Sequence, residues 1–387
     1  MLAVAAISGL LLVPRTHTTS LRPLACGRRV VRSMCAEPGD DASIDYSLLQ
    51  KRFAEVESSE VEGRVRRTKR TMTNWREGNP QQQKALLTIN DWIRRLSVSG
   101  DRLACGTYQG DVILIDADSG KILQRWPAPK DSGEVSAISL DGERCISGDV
   151  EGGVWLRSAD RDERLVLLSA SHSGAAVSGV HWPEGGRAYS CGTDGRLVAW
   201  AVPEELPRGA GNPACRLREL QSLSAPRPIL SMSTCEGYAA LGLSDGTVRF
   251  CSLSPLREIL SFEAHGAAVS AVELISPSQL LSGDADGAVA LWRLDETEES
   301  GRRAVRFEGH TGAVVAVQGD GDKVVSAARD GTIRCWDVEQ KRARFTLQGF
   351  TMYIGSLHVD ASRLIADGAN NAIVCLDFAE AEEEGEK

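Results

Sequence analysis

Serine, histidine and aspartate, the side chains of nucleophilic hydrolysis, recur together three times in this chain. The sets are His172/Ser190/Asp194, His265/Ser282/Asp286 and His310/Ser326/Asp330, each followed by a tryptophan at Trp200, Trp292 or Trp336. A catalytic triad is needed once, so three copies at matched offsets point to a structural device instead. No Gly-x-Ser-x-Gly elbow places a serine on a strand-to-helix turn. Asp284-Ala-Asp286-Gly287 resembles the start of a calcium loop, but Arg293 stands where a bidentate glutamate is required. No Gly-x-x-x-x-Gly-Lys-Ser/Thr phosphate loop is present. None of the ten cysteines sits in a C-x-x-C pair, so zinc is not expected. Most of them, Cys105, Cys145, Cys191, Cys251, Cys335 and Cys375, fall in expected strands and read as small buried hydrophobes. His181 and His358 stand alone and read as strand histidines rather than ligands. The chain is expected to be no enzyme and to carry no cofactor and no metal.

The elements that must position these side chains repeat with a period in the low forties. Aligning on a turn glycine gives Gly110, Gly152, Gly195, Gly246, Gly287 and Gly331, with Asn371 in the seventh unit. A β-rich run precedes each turn and another follows, as in Lys323-Val-Val-Ser and Thr332-Ile-Arg-Cys-Trp. Asp-Gly or Asn-Asn between alternating apolar runs is a hairpin signal, because both central residues need positive φ. Seven units of four short strands, with almost no helical periodicity, argue for radial repetition of small antiparallel sheets.

These residues resemble the WD-repeat β-propeller family. The resemblance implies a seven-bladed, all-β propeller of four-stranded antiparallel blades over residues 84–378. It also implies that each histidine, serine, aspartate and tryptophan set forms a buried hydrogen-bond chain, complete in three units. The other four depart from the pattern: Gln109 and Ile115 in unit one, Glu151 and Arg157 beside a retained Ser147 in unit two. Unit four keeps Asp245 but has Cys251, and unit seven has Asn370 and Leu376. Those four are expected to rely on apolar packing, each blade carrying its own small core. The seventh unit stops after its third strand, so Lys84–Ile89 is expected to supply the fourth and close the ring, leaving no open edge.

Composition excludes some partners. The first 36 residues carry Arg15, Arg22, Arg28, Arg29 and Arg32, six Ser/Thr and no acid before Glu37. This reads as a plastid transit peptide, with a mitochondrial leader as the alternative and secretory or bipartite targeting behind it. A disordered N-terminus without any targeting role is the last alternative. The apolar run Leu2–Val13 is too short to span a bilayer. Loss of the five leader arginines takes the net charge from −9 to −14, which argues against general nucleic-acid or anionic-membrane binding. Residues 37–83 form a connector in which Tyr46, Leu49, Phe53 and Val56 have helical spacing. Its basic run, Arg64-Val-Arg-Arg-Thr-Lys-Arg70, reads as a nucleic-acid or import patch or as a solvated segment against the acidic propeller. Asn74-Trp-Arg-Glu-Gly78 looks like the segment that joins F-box to propeller in F-box/WD-repeat substrate receptors, though the F-box has no counterpart. Residues 379–387 form an acidic tail expected to be disordered.

The function expected is a non-catalytic scaffold that binds a peptide segment or protein surface in an organelle. The alternatives are an F-box-like substrate receptor of a ubiquitin ligase and an enzyme on a propeller scaffold. In WD-repeat proteins partners commonly dock on the face carrying the turn loops. Transferring its exposed positions gives Trp92, Arg94 and Tyr108 in unit one, Arg329 in unit six and Tyr353 in unit seven. The same positions elsewhere are small, as at Ala176, Ser178, Ala268, Ser270, Ala313, Ser244 and Ala285. Aromatic and arginine side chains are enriched at interface hot spots, and arginine selects carboxylate or phosphate. The expected partner therefore has an aromatic or apolar anchor beside an acidic or phosphorylated residue.

Overall fold

The computed structural model describes residues 64–129, 132–158, 166–167, 172, 174–182, 186–202, 219–294, 303–319, 323–369 and 371–379. The leader, the helix expected around Tyr46–Val56, Asn370 and the acidic tail beyond Ala379 lie outside them. Seven four-stranded antiparallel sheets make a β-propeller. In sequence order the blades cover 93–126, 135–167, 177–224, 229–263, 269–307 and 314–347. The seventh combines Leu357–Val359, Arg363–Ala369 and Ala372–Asp377 with Gln82–Thr88 from the N-terminal side. The first strands of successive blades touch one another in turn, and Ile93–Ser99 of blade one touches Leu357–Val359 of blade seven. They are the inner wall of a closed ring.

The closing strand runs Gln82–Thr88, two residues ahead of the expected start, and pairs with Ala372–Asp377 through Lys84↔Cys375 and Leu87↔Ile373. Leu86 and Leu87 are both buried although neighbours on a strand, because a register shift between Ala85 and Leu87 breaks the alternation.

Apolar packing is arranged differently from the expectation of one core per blade. The buried residues form seven clusters, each spanning two neighbouring blades. One joins Ala104, Leu114 and Trp126 of blade one to Val135, Leu140 and Cys145 of blade two. Another joins Ile113 and Ile115 of blade one to Ile365 and Ile373 of blade seven. A sheet flanked on both sides must bury both faces, so middle strands such as Arg102–Thr107 and Val112–Asp116 are almost continuously buried. Outer strands such as Ile122–Trp126 are mostly exposed. The six strand cysteines belong to this interior, and burial pushes the Cys105, Cys145, Cys191 and Cys251 thiols up to about 12. They pack as unreactive thiols.

Among the described residues, one helix, over 64–77, precedes the ring. Its last turn is fastened to blade seven: Trp75 stacks on Phe378 at 3.9 Å and donates Nε1–H to Ala361 O. Asn74 Nδ2 donates to Phe378 O at 2.9 Å. Gly78 ends the helix at φ +66°, where a Cβ would fall 2.6 Å from the Phe345 ring, so a side chain is excluded twice over. The Asn74–Gly78 segment is therefore a helix terminus built to seat Trp75. The basic run on the preceding turns is exposed at every residue from 64 to 70.

Candidate interaction face

Polar chains brace the blades beneath the turn loops. In blade six Trp336 Nε1 donates to Ser326 Oγ (2.8 Å), Ser326 Oγ meets His310 Nε2 (2.8 Å), and His310 Nδ1 meets Asp330 Oδ2 (2.9 Å). Blade three repeats this through Trp200, Ser190, His172 and Asp194 at 2.9–3.0 Å. Burial lowers the pKa of His172 and His310 against the pull of their aspartates. The neutral ring then donates from Nδ1 and accepts at Nε2, an assignment made from the network. Burial also pushes Asp330 up, but bonds from Thr332, His310 and the Thr311 amide outweigh it and hold the carboxyl at about 2. All three serines are fully buried, so no substrate reaches them. The constellation braces the sheet.

Blade five corrects the expected acid. His265 Nε2 meets Ser282 Oγ at 2.6 Å, but its Nδ1 faces Asp284 at 3.2 Å, and Asp286 is exposed. Asp284 closes the second strand, and its Oδ1 also accepts the Asp286 and Ala288 amides. From that place one carboxylate reaches the histidine and the turn, whereas Asp286 lies beyond the strand on the turn.

Blade two, expected to rely on apolar packing more than on polar chains, carries a polar network of its own. Asp149, at the position equivalent to Asp284, accepts Trp155 Nε1 at 2.7 Å and the Glu151 and Gly153 amides. Arg157 fills the tryptophan place and donates Nη1 to Ser147. Burial lowers its pKa to about 10, and its Nε finds no partner. Blade seven carries Asp367, fully buried, whose Oδ1 accepts the Gly355 (2.8 Å) and Ser356 (3.0 Å) amides.

On the turn face a backbone bond ties the loop before each first strand to the hairpin, as in Tyr108 N to Trp92 O (2.8 Å) and Arg329 N to Ala313 O (2.9 Å). Asp91 reinforces it in blade one by accepting the Trp92 and Gln109 amides. Trp92 and Tyr353, which precede the first buried apolar residue of blades one and seven, stack at 5.4 Å with planes 16° apart. Tyr108 meets Trp92 edge-on at 5.5 Å. The three are 47%, 54% and 51% exposed, and Met352 beside them is 59% exposed. The expected aromatic residues of blades one and seven thus converge on one patch.

The arginines divide. Arg329 is exposed on the hairpin of blade six. Arg94 is half-buried and pairs with Glu134 of blade two at 3.2 Å. Its position faces the next blade, not solvent. The equivalent Ser136 and Ser178 donate to Val177 O and Ile229 O of the following blade at 2.6 Å, and Ser270 to Val314 O. Ser178 and Ser270 are therefore seam residues, where an exposed position was expected.

Beneath the patch, Arg95 donates Nε to Ser136 O and Nη1 to Arg94 O, both at 2.7 Å. Ser356 Oγ accepts Leu96 N–H at 3.0 Å. A Cβ on Gly355 would lie 2.3 Å from Arg94 O, so only glycine lets the Tyr353 loop approach this close. Glu134, Asp91, Arg95 and Asp367 escape the sequence reading. The offset that selects Trp92 would have found Glu134 in unit two, but no residue pattern marks the other three.

Comparison with known proteins gives a matching origin. The family model "WD domain, G-beta repeat" matches residues 256–293 and 301–337, the stretch holding the blade five and blade six chains. The telomerase protein component 1 of Rattus norvegicus is 26% identical over 61% of this chain and 9% of its own. The ribosome biogenesis protein YTM1 of Eremothecium gossypii is 31% identical over 38% of each chain. This chain thus spans less than half the length of either relative. Among solved structures, that of U3-55K superposes with a TM-score of 0.63 at 20% identity, covering 77% of this chain and 99% of the other. The chain carries WD repeats and folds as a seven-bladed β-propeller.

Proposed function

We propose that this WD-repeat propeller is a non-catalytic scaffold that captures a peptide segment or protein surface on its turn face, at the sector formed by blades six, seven and one. The observation that carries the reading is the exposed cluster of Trp92, Tyr108 and Tyr353 on a face whose equivalent positions are largely small. Aromatic rings held rigidly at half exposure offer large contact area with little side-chain entropy to lose. The ribosome biogenesis role named for YTM1 supports a scaffold. Arg329, exposed on the hairpin of blade six, is placed to meet an acidic or phosphorylated residue beside the partner's aromatic or apolar anchor. Arg94 supports the platform through Glu134. The arginine-rich, acid-free residues 1–36 support an organellar setting, plastid before mitochondrion, to be checked by imaging a fusion that keeps them.

The test is a peptide array pairing an aromatic residue with Asp, Glu or phosphoserine. Trp92→Ala with Tyr353→Ala should abolish capture, and Arg329→Glu should remove preference for acidic members. Both variants should keep the parent melting temperature to within a few degrees. Capture that survives the aromatic double substitution would remove this sector from consideration.

A further inference from the structure

The charge balance of the whole chain speaks against nucleic acid, yet the helix over 64–77 is a local exception that the turn-face reading does not use. Six of its fourteen residues are basic and one, Glu77, is acidic. Only its last turn is packed, through Asn74 and Trp75, while every residue from 64 to 70 is exposed. At about 100° per residue, Trp75 points along about 20°. Arg64, Arg76, Lys69, Arg66 and Arg67 project along about 0°, 120°, 140°, 200° and 300°. Cations therefore surround the helix, including the side facing the propeller near its end.

We propose that helix 64–77 is an arm that binds the phosphodiester backbone of a folded nucleic acid, with Arg64, Arg66, Arg67 and Lys69 as its contacts. An acidic protein surface meets a helix from one side and would leave the opposite cations unanswered. A groove between two sugar-phosphate strands presents anions on both sides of an inserted helix and answers all of them. The anchor suits this use: Trp75, stacked on Phe378 and crossed by the Lys323 ammonium at 4.9 Å, fixes one end so that the other enters a groove as a rigid rod. The described part is about 21 Å long, enough to follow a groove across several phosphates.

The experiment is fluorescence anisotropy with the full chain, using a labelled RNA hairpin, a DNA duplex of equal stem length and a polyglutamate peptide, in 50 to 200 mM KCl. Four contacts predict that log K falls against log salt with a slope of about −3 to −4. The quadruple variant R64Q/R66Q/R67Q/K69Q keeps helix-forming side chains and should flatten the slope with no change in melting temperature. R64K/R66K/R67K keeps the charge and should retain binding. Binding of the hairpin alone makes RNA the source of the phosphates; equal binding of both duplexes assigns the shared backbone. No binding at 50 mM KCl, an unchanged slope in the quadruple variant, or polyglutamate bound as tightly as the hairpin would each overturn the proposal.

Discussion

Trp75 and Phe378 stack face to face at 3.9 Å with planes 17° apart, joining the helix ahead of the ring to the residue that follows its last strand. The contact lies at the seam where chain from both ends completes blade seven. Trp75 is 4% exposed and sits in the cluster holding Leu364, Leu376 and Phe345. Trp75→Ala should cost about 3–5 kcal/mol, read as a lower urea midpoint. A loss no larger than that of an exposed helix substitution such as Met72→Ala would show that the helix only decorates the ring.

Ring closure makes a sharper prediction about truncation. Removing residues 1–63 leaves the anchored helix and the closing strand intact and should give a soluble, folded protein. Removing residues 1–90 exposes the backbone edge of Ala372–Asp377, which Gln82–Thr88 otherwise covers, and should promote edge-to-edge aggregation. Light scattering at matched concentration compares the two. Equal scattering would mean that the open edge finds another cover.

The polar chains separate two aspartates only two residues apart. Asp284→Ala removes the carboxylate that lies 3.2 Å from His265 Nδ1 and the acceptor of two turn amides, at about 1–3 kcal/mol for each buried amide left unpaired. Asp286→Ala should be nearly neutral, since that side chain is exposed. Asp330→Ala should match the Asp284 loss, and Gln109→Ala in blade one should not. Denaturant melts giving equal losses at 284 and 286 would contradict the assignment.

Why the sequence could be read as far as a ring of seven blades, and no further, follows from the same residues. Turn glycines, strand runs and the His–Ser–Trp offsets recur because every blade solves the same packing problem, so the period and the closing strand were legible. The choice between Asp284 and Asp286 was not, because both are acids in a turn and only backbone geometry decides which one the histidine meets. Arg157 in a tryptophan place read as a lost chain, although a long buried guanidinium can donate to the same serine. The aromatic patch was legible by offset, but the pairing of Arg94 with Glu134 depended on which way one strand position faces across a seam.

Asp367 gives the pH dependence a definite sign. Burial raises its carboxyl from 3.8 to about 7, against the Gly355 and Ser356 amides and Arg95, which favour the anion. The folded state therefore holds this proton over a range where the unfolded chain has released it. Its contribution to stability is complete below about pH 4, declines as pH rises through the window from about 4 to about 7, and is gone above it. Asp330, held near 2, has the opposite sign and loses its contribution as pH falls below about 4. Asp367→Asn keeps an oxygen for both amides and cannot ionise. The stability of the parent relative to this variant should fall between pH 4 and 7 in urea titrations, with carboxylates common to both proteins cancelling. A difference that stays flat across that window, or that grows with pH, would show that Asp367 is ionised throughout and that Arg95 neutralises it in the folded ring.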